Sequence, residues 1–368
     1  NNEKTQEKKF DRANKRLTST NLYIEKLVAL FHPFLIVLMD FTMIAIIWVG
    51  AARIDMGYLQ LGDMIAFLQY AMQIMMSFVM LSVFFVMMPK AGVSASRIME
   101  ILSMPLSVKD KEKTLNGKKG LSGVVEFKDV SFKYPGANES VLKNITFKAE
   151  QGETVAFIGS TGSGKSTLIN LIVRFFDVTE GSVLVDGVDV RDYKQEVLRD
   201  KIGYVPQKGM LFKGTVLSNI KYGKNRCTET KLIKSLKVAQ AYDFVMKGDE
   251  KFAMPISQGG SNLSGGQRQR LSIARALVKD TEIYIFDDCF SALDYKTDMM
   301  LRNDLEKELS NHTVFIVAQR ICNVIHADKI IVLEKGKIVG MGRHDELMDN
   351  CEPYKEIAVS QLAEEGAI

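Results

Sequence analysis

The stretch that most restricts what this chain can become is Gly159-Ser160-Thr161-Gly162-Ser163-Gly164-Lys165-Ser166-Thr167, which follows the apolar run Thr154–Ile158. It fits the phosphate-loop pattern G-x-x-x-x-G-K-[ST]. It also lies between a short β-rich run and the helix-like LINLIVRFF, the context in which that pattern carries meaning. The residue types follow from the ligand. A triphosphate concentrates several negative charges in a small volume, so backbone N–H groups must curl around it, and glycines allow both positive φ and close approach. A helix opening near Gly164 adds unpaired N–H groups and the positive end of its dipole. In such a loop Lys165 reaches the β- and γ-phosphates and the Ser166 hydroxyl ligates Mg²⁺. The spacing predicts a nucleotide site.

At 368 residues the chain has room for two or more domains. Lys and Arg number 48 against 44 Asp and Glu, a formal charge of +4, so no nucleic-acid footprint is forced and no nucleic-acid partner is expected. Cys227, Cys289, Cys322 and Cys351 are scattered without C-x-x-C spacing, which reads as a reduced cytosolic compartment. The opening NNEKTQEKKF lacks the apolar core of a signal peptide. The expectation is that either a targeting or amino-terminal region is missing or the membrane segments themselves direct insertion.

Charged residues almost vanish between Phe31 and Met88. Residues 31–52 and 63–88 are each long and apolar enough to cross a hydrocarbon layer, and the turn between them is short, so they predict a transmembrane hairpin. Lys4, Lys8, Lys9, Arg12, Lys15, Arg16 and Lys26 precede the first span and Lys90 and Arg97 follow the second, with only Arg53 between. Both ends are therefore expected in the cytosol. Asp40 in the first span and Gln69 and Gln73 in the second are costly in lipid and call for neighbouring helices, with a structural hydrogen bond as the role expected of Asp40. The expected organisation is a transmembrane part over 1–106 (cytosolic helix 1–30, spans 31–52 and 63–88, cytosolic extension 89–106), a polar aperiodic linker over 107–120, and a nucleotide domain over 121–368.

Residues 121–368 alternate strand and helix patterns, an α/β signature. VVEFKDVSFKY and ITFKAE predict antiparallel strands. The strand EIYIF ends in Asp287-Asp288, and an Asp at the carboxyl end of a buried strand beside a phosphate loop is placed to hold Mg²⁺, the role given to Asp287. Upstream, Leu263-Ser264-Gly265-Gly266-Gln267 opens the helical LSIARAL. Ser264 caps that helix and its glycines leave the amide end open to a phosphate.

With LSGGQ, the phosphate loop and the Asp-ended strand in place, the chain resembles the ATP-binding cassette (ABC) transporter family, specifically the carboxy-terminal part of an export-type half-transporter. The resemblance implies a helical membrane hairpin joined to a cytosolic α/β phosphate-loop domain that has an antiparallel β subdomain and a helical subdomain. It implies ATP and Mg²⁺ as ligands, a multi-pass place in the cell membrane, and a second half-transporter as partner. By position it makes Tyr134 the aromatic that stacks on adenine, a contact worth roughly 1–3 kcal/mol in nucleic-acid examples. It makes Gln207 a Mg²⁺ sensor and Ser291-Ala292-Leu293-Asp294 the loop joining two sites of a cassette dimer. In such dimers each ATP lies between one domain's phosphate loop and the other's LSGGQ. Hydrophobic drugs or lipids are the substrate class that the likeness to bacterial multidrug exporters suggests.

Two positions depart from the family. Hydrolysis-competent cassettes carry glutamate where this chain has Asp288 and histidine where it has Gln319. Glu to Asp withdraws the carboxylate by one C–C bond, and misplacement of around 1 Å can cost on the order of 100-fold in rate. Gln319 donates a neutral hydrogen bond but cannot become cationic. The expectation is a heterodimeric exporter in which this chain binds ATP at a hydrolysis-impaired site and lends its LSGGQ to a competent one. The alternatives are a slow homodimer, a channel-like protein gated by ATP, and a soluble cassette acting on DNA or ribosomes, which the two apolar spans oppose.

Overall fold

A computed structural model describes residues 2–364 apart from 116, 118, 119 and 225, and the chain divides into two units, Asn1–Pro105 and Leu106–Ile368. The first unit is a pair of long helices, α1 (Glu3–Asp55) and α2 (Leu61–Leu102). Of the two, α1 runs unbroken from polar into apolar sequence and α2 from apolar into polar, and each contains a stretch long and apolar enough to cross a membrane. They approach closely where Gly50 meets Met64: a Cβ on Gly50 would sit 2.8 Å from the Met64 sulfur. At the start of α2 the Asp63 carboxylate accepts the Gln60 N–H at 3.2 Å, covering one of the helix's unpaired donors. Asp40, Gln69 and Gln73 are exposed on the pair, as are Trp48, Phe84 and Phe85, so both polar and apolar side chains of this unit await other surroundings.

The second unit opens with β1 (Val125–Phe132), β2 (Leu142–Ala149), β3 (Thr154–Ile158), α3 (Lys165–Ile172), β4 (Glu180–Val185) and β5 (Val188–Asp189). Then come α4 (Gln195–Asp200), β6 (Ile202–Val205), β7 (Gly214–Thr215), α5 (Val216–Lys221), α6 (Glu229–Val238), α7 (Tyr242–Met246) and β8 (Pro255–Ile256). The remainder is α8 (Gly265–Leu277), β9 (Ile283–Asp287), α9 (Tyr295–Glu308), β10 (Thr313–Val317), β11 (Lys329–Glu334), β12 (Lys337–Gly342), α10 (His344–Asn350) and α11 (Glu352–Glu364). An antiparallel sheet has the order β2-β1-β4-β5. A six-stranded sheet has the order β12-β11-β3-β10-β9-β6 and is parallel except at its β12 edge.

The parallel strands read as near-continuous apolar runs because both their faces are covered. Phe127, Phe147, Phe157 and Phe315 connect the two sheets through ring-to-ring contacts of 4.6, 5.6 and 6.1 Å. Truncating such a buried ring to alanine typically costs about 3–5 kcal/mol. A second core holds the helical subdomain, where Val216, Ile220, Leu232, Leu236 and Val245 pack with Leu271 and Ala274 of α8. The helix-like patterns near 214–220 and 229–240 and from about 265 correspond to α5, α6 and α8. The short α4 and α7 and the terminal α10 and α11 have no equivalent in the sequence reading.

The polar stretch after Pro105 forms no helix or strand among its described residues, yet it is fastened to the second unit. Arg174, just beyond α3, is 1% exposed and donates to the Lys109 carbonyl at 2.9 Å, the Asp110 carboxylate at 3.4 Å, the Tyr193 carbonyl and the Asp177 carboxylate. Asp110 also accepts the Gln195 backbone N–H at 3.1 Å, Lys111 pairs with Asp192, and the Leu115 N–H donates to the Asp192 carbonyl. At Gly117 a Cβ would lie 2.8 Å from the Tyr193 hydroxyl. That phenol is pushed up to about 12 by its burial and by the carboxylate of Asp186. A buried guanidinium needs this many partners, because an unpaired charge taken out of water is expensive.

Candidate nucleotide site

The six-stranded sheet sets the site. In a parallel sheet the ligand-facing loops lie beyond the carboxyl ends of the strands, and four neighbouring strands, β3, β10, β9 and β6, end at the residues singled out above. After β3 the chain turns through Gly159 (φ 149°) and Gly162 (φ 83°) to Gly164 (φ 103°), the left-handed residue before α3. Gly159 cannot carry a side chain, since a Cβ there would lie 2.1 Å from the Leu333 carbonyl oxygen.

Lys165 is 8% exposed and folds over its own loop, donating to the carbonyls of Gly159 at 2.7 Å and Ser160 at 2.9 Å. Burial lowers its pKa, with the charges of Asp288 and Asp287 acting the other way. The ammonium is thus held by neutral acceptors that a phosphate oxygen can replace at a gain in charge. Ser166 donates to the Asp287 carboxylate at 2.9 Å. Burial raises the Asp287 pKa; the Ser166 hydrogen bond opposes the rise and the neighbouring Asp288 adds to it. A buried carboxylate beside a hydroxyl, both oxygen donors, fits a hard cation that needs only one or two protein ligands. On that observation the residues present suit Mg²⁺. Tyr134 is half-buried among Phe132 and Phe176, and its hydroxyl is 3.0 Å from that of Thr167.

Asp288 lies one residue past β9, and β9 runs between β6 and β10. Gln207 beyond β6 and Gln319 beyond β10 therefore close on it from both sides. Their amide nitrogens donate to the same carboxylate oxygen, Oδ2, at 2.9 and 2.6 Å. Asp288 is 6% exposed and adopts φ 46°, a left-handed conformation that Asp tolerates better than most residues. The Ser291 hydroxyl donates to its carbonyl, and Asp294 caps α9 through the Thr297 N–H.

The LSGGQ segment is built differently. Ser264 accepts the Gln267 N–H at 3.2 Å while the Gln267 side chain accepts the Ser264 N–H at 2.9 Å, a reciprocal cap on α8. Ser264 and Gly265 are exposed, with Gly266 and Gln267 half-buried. Among the described residues no hydrogen bond joins this segment to the phosphate loop. The structure thus gathers Tyr134, the residues from Gly159 to Thr167, Gln207, Asp287, Asp288 and Gln319 at one sheet edge, and holds Ser264–Gln267 as a separate tip. Sequence reasoning gave no role to Gln269, which is buried on α8 and bonded to the loop carrying Gln207. Its only signal was a polar residue on the apolar face of a helix.

Comparison with known proteins bears on both units. Residues 142–291 match the ABC transporter family and residues 1–78 match the ABC transporter transmembrane region. An ABC transporter ATP-binding protein of Mycobacterium tuberculosis is 44% identical over 356 residues, covering 96% of this chain and 61% of that protein. An ATP-dependent lipid A-core flippase of Desulfotalea psychrophila is 37% identical over 316 residues, 86% of this chain and 55% of the flippase. The solved structure of a bacterial Atm1-family ABC exporter with ATP bound matches with a TM-score of 0.79 at 28% identity, over 89% of this chain and 56% of that one. The chain therefore spans roughly three fifths of the curated relatives it matches. With an exposed apolar helix pair matching the transmembrane region and a phosphate loop, Asp-ended strand and LSGGQ tip in one α/β unit, the chain belongs to the ABC transporter family, as a multi-pass membrane protein with a cytosolic ATP-binding unit.

Proposed function

We propose that this chain is one half of an ATP-driven exporter, paired with a second, non-identical half-transporter. Its own phosphate loop grips ATP but cuts it slowly, and its Ser264–Gln267 tip completes the efficient site on the partner. The observation that carries the reading is the state of Asp288. Its carboxylate is one methylene short of a glutamate, and one of its oxygens already accepts from both Gln207 and Gln319. A base so engaged is poorly placed to take a proton from attacking water, and Gln319 brings no cationic charge to the γ-phosphate end.

In this reading Tyr134 supports the adenine, and the backbone from Gly159 to Gly164 and Lys165 hold the phosphates. Ser166, Asp287 and Gln207 would hold Mg²⁺, which when bound would offset the negative charge of the phosphates. The transmembrane part covers 1–106 and the nucleotide domain 121–368. A small hydrophobic solute, drug or lipid, is the cargo class, supported by the flippase among the relatives.

The test is ATPase activity of the purified chain with and without its partner. The chain alone is expected to turn over at least 10-fold more slowly than the pair; brisk hydrolysis by identical copies overturns the reading. Asp288→Glu together with Gln319→His is expected to raise turnover at this site, measured with the partner's phosphate loop disabled.

A further inference from the structure

The Gln207 loop and the LSGGQ tip meet at one side chain. Gln269 lies on α8 about a turn and a half past Ser264 and is 3% exposed. Its amide oxygen accepts the Gly209 N–H at 3.0 Å and its amide nitrogen donates to the Pro206 carbonyl at 3.2 Å. These two backbone groups bracket Gln207, so one carboxamide grips the loop on either side of it. The fit is close: a Cβ on Gly209 would lie 2.9 Å from the Gln269 oxygen, 3.0 Å from the Ser272 hydroxyl and 3.1 Å from the Arg268 carbonyl. The Ser272 hydroxyl, one turn further along α8, is buried without a hydrogen-bond partner among the described residues.

We propose that Gln269 is a positioning residue that ties the Gln207 loop to α8, so that the state of this chain's own nucleotide site sets the orientation of the tip it lends to the partner's site. The inference rests on the two-site reading above and adds a physical route to it. Gln207 donates to Asp288 through its amide nitrogen at 2.9 Å, and Mg²⁺ with nucleotide at the phosphate loop would draw on the oxygen of the same carboxamide, so that filling the site pulls on the Gln207 side chain from its other end. Any resulting movement of the loop is passed through two hydrogen bonds to a rigid helix whose first turn is Ser264–Gln267. The job needs a donor and an acceptor on one short arm. Glutamate keeps the acceptor for Gly209 but places a charge in a buried position and loses the donor to Pro206, and methionine keeps the volume but leaves both backbone groups unpaired.

The experiment is a double-mutant cycle on the exporter assembled with its partner chain: wild type, Lys165→Ala, Gln269→Met, and both together. Lys165→Ala empties this chain's site and is expected to lower partner-site kcat about 3- to 10-fold. Gln269→Met is expected to lower kcat by a similar factor while a fluorescent ATP analogue binds this chain's site with unchanged Kd. The double variant should be no slower than either single one. A Gln that only stabilises the fold gives multiplicative losses instead, and that outcome overturns the proposal, as does a Lys165→Ala variant with unchanged turnover. If Gln269→Met does not assemble, Gln269→Glu runs the same cycle. Hydrogen exchange supplies a readout independent of turnover. Filling this chain's site with MgATP, the partner's phosphate loop disabled, should change exchange at Gly265–Arg268 in the wild type and leave it unchanged in the Gln269 variant. A pair that hydrolyses ATP with this cycle intact but moves no solute against a gradient sinks the export reading and leaves the coupling standing.

Discussion

At the start of α3, Gly164 takes a left-handed φ of 103° with no side-chain cap, and Lys165 lies buried across the carbonyls of its own loop. At the start of α8, Ser264 and Gln267 cap each other reciprocally, Gly265 is exposed and Gly266 is half-buried. Both are glycine-rich helix starts and both can bind phosphate through backbone N–H groups. The first is a closed cradle carrying its own cation, Lys165, with the Asp287 carboxylate hydrogen-bonded to Ser166 beside it. The second has a donor surface and nothing of its own to complete it. On the two-site reading proposed above, the tip is finished by another nucleotide site, and damage to the two regions should then have unequal consequences.

The largest separation is expected from Gly265→Asp. A Cβ there meets nothing closer than the Ala292 Cβ at 4.0 Å, so the variant should fold. On the proposed two-site reading, its carboxylate would stand where the partner's nucleotide approaches. ATPase activity of the assembled pair should fall by about 100-fold, the scale seen when one oxyanion donor is lost, whereas Lys165→Ala leaves a measurable fraction. Equal losses would erase the distinction between cradle and tip.

Gly159→Ala sharpens the comparison from the cradle side. With φ at 149° and the Leu333 carbonyl in the way, the added methyl forces the loop to shift. A destabilisation of about 1–3 kcal/mol is expected, read by chemical denaturation, together with loss of ATP binding at this chain's site. The exposed tip offers no comparable strain.

A smaller effect separates the two regions by pH. Burial raises the Asp287 pKa above its unfolded value, so the native state binds this proton more readily than the unfolded chain. The penalty of the buried charge is fully present above the folded pKa and is relieved as pH falls through it. Without nucleotide, the stability of the ATP-binding unit should therefore gain slightly as pH drops from neutral into the mildly acidic range, and Asp287→Asn should abolish the gain. Affinity for MgATP should move the opposite way, weakening over the same range, which a titration with and without Mg²⁺ will check.

How much of this was legible in the sequence depends on the range of the interactions. The phosphate loop, the Asp-ended strand and the Ser264 cap are local: their chemistry is complete within about nine residues, so they could be read directly. Gln207, Asp288 and Gln319 could be picked out one by one through family resemblance, but their convergence on one oxygen follows from β9 lying between β6 and β10. Strand order is set by long-range packing and leaves no periodicity to detect. Gln269 was hidden for the same reason, since its partners are about sixty positions away. The polar run after Pro105 misled in a different way. Its lack of pattern goes with the absence of helix or strand among its described residues, but absence of periodicity says nothing about attachment.

That attachment decides where the ATP-binding unit can be cut free. A soluble fragment started at Leu121 would drop Asp110 and the Lys109 carbonyl, leaving the guanidinium of Arg174, at the far end of the helix that begins with Lys165, short of two of its partners. One begun at Leu106 keeps them, and should be the better-behaved piece for calorimetry or crystallisation.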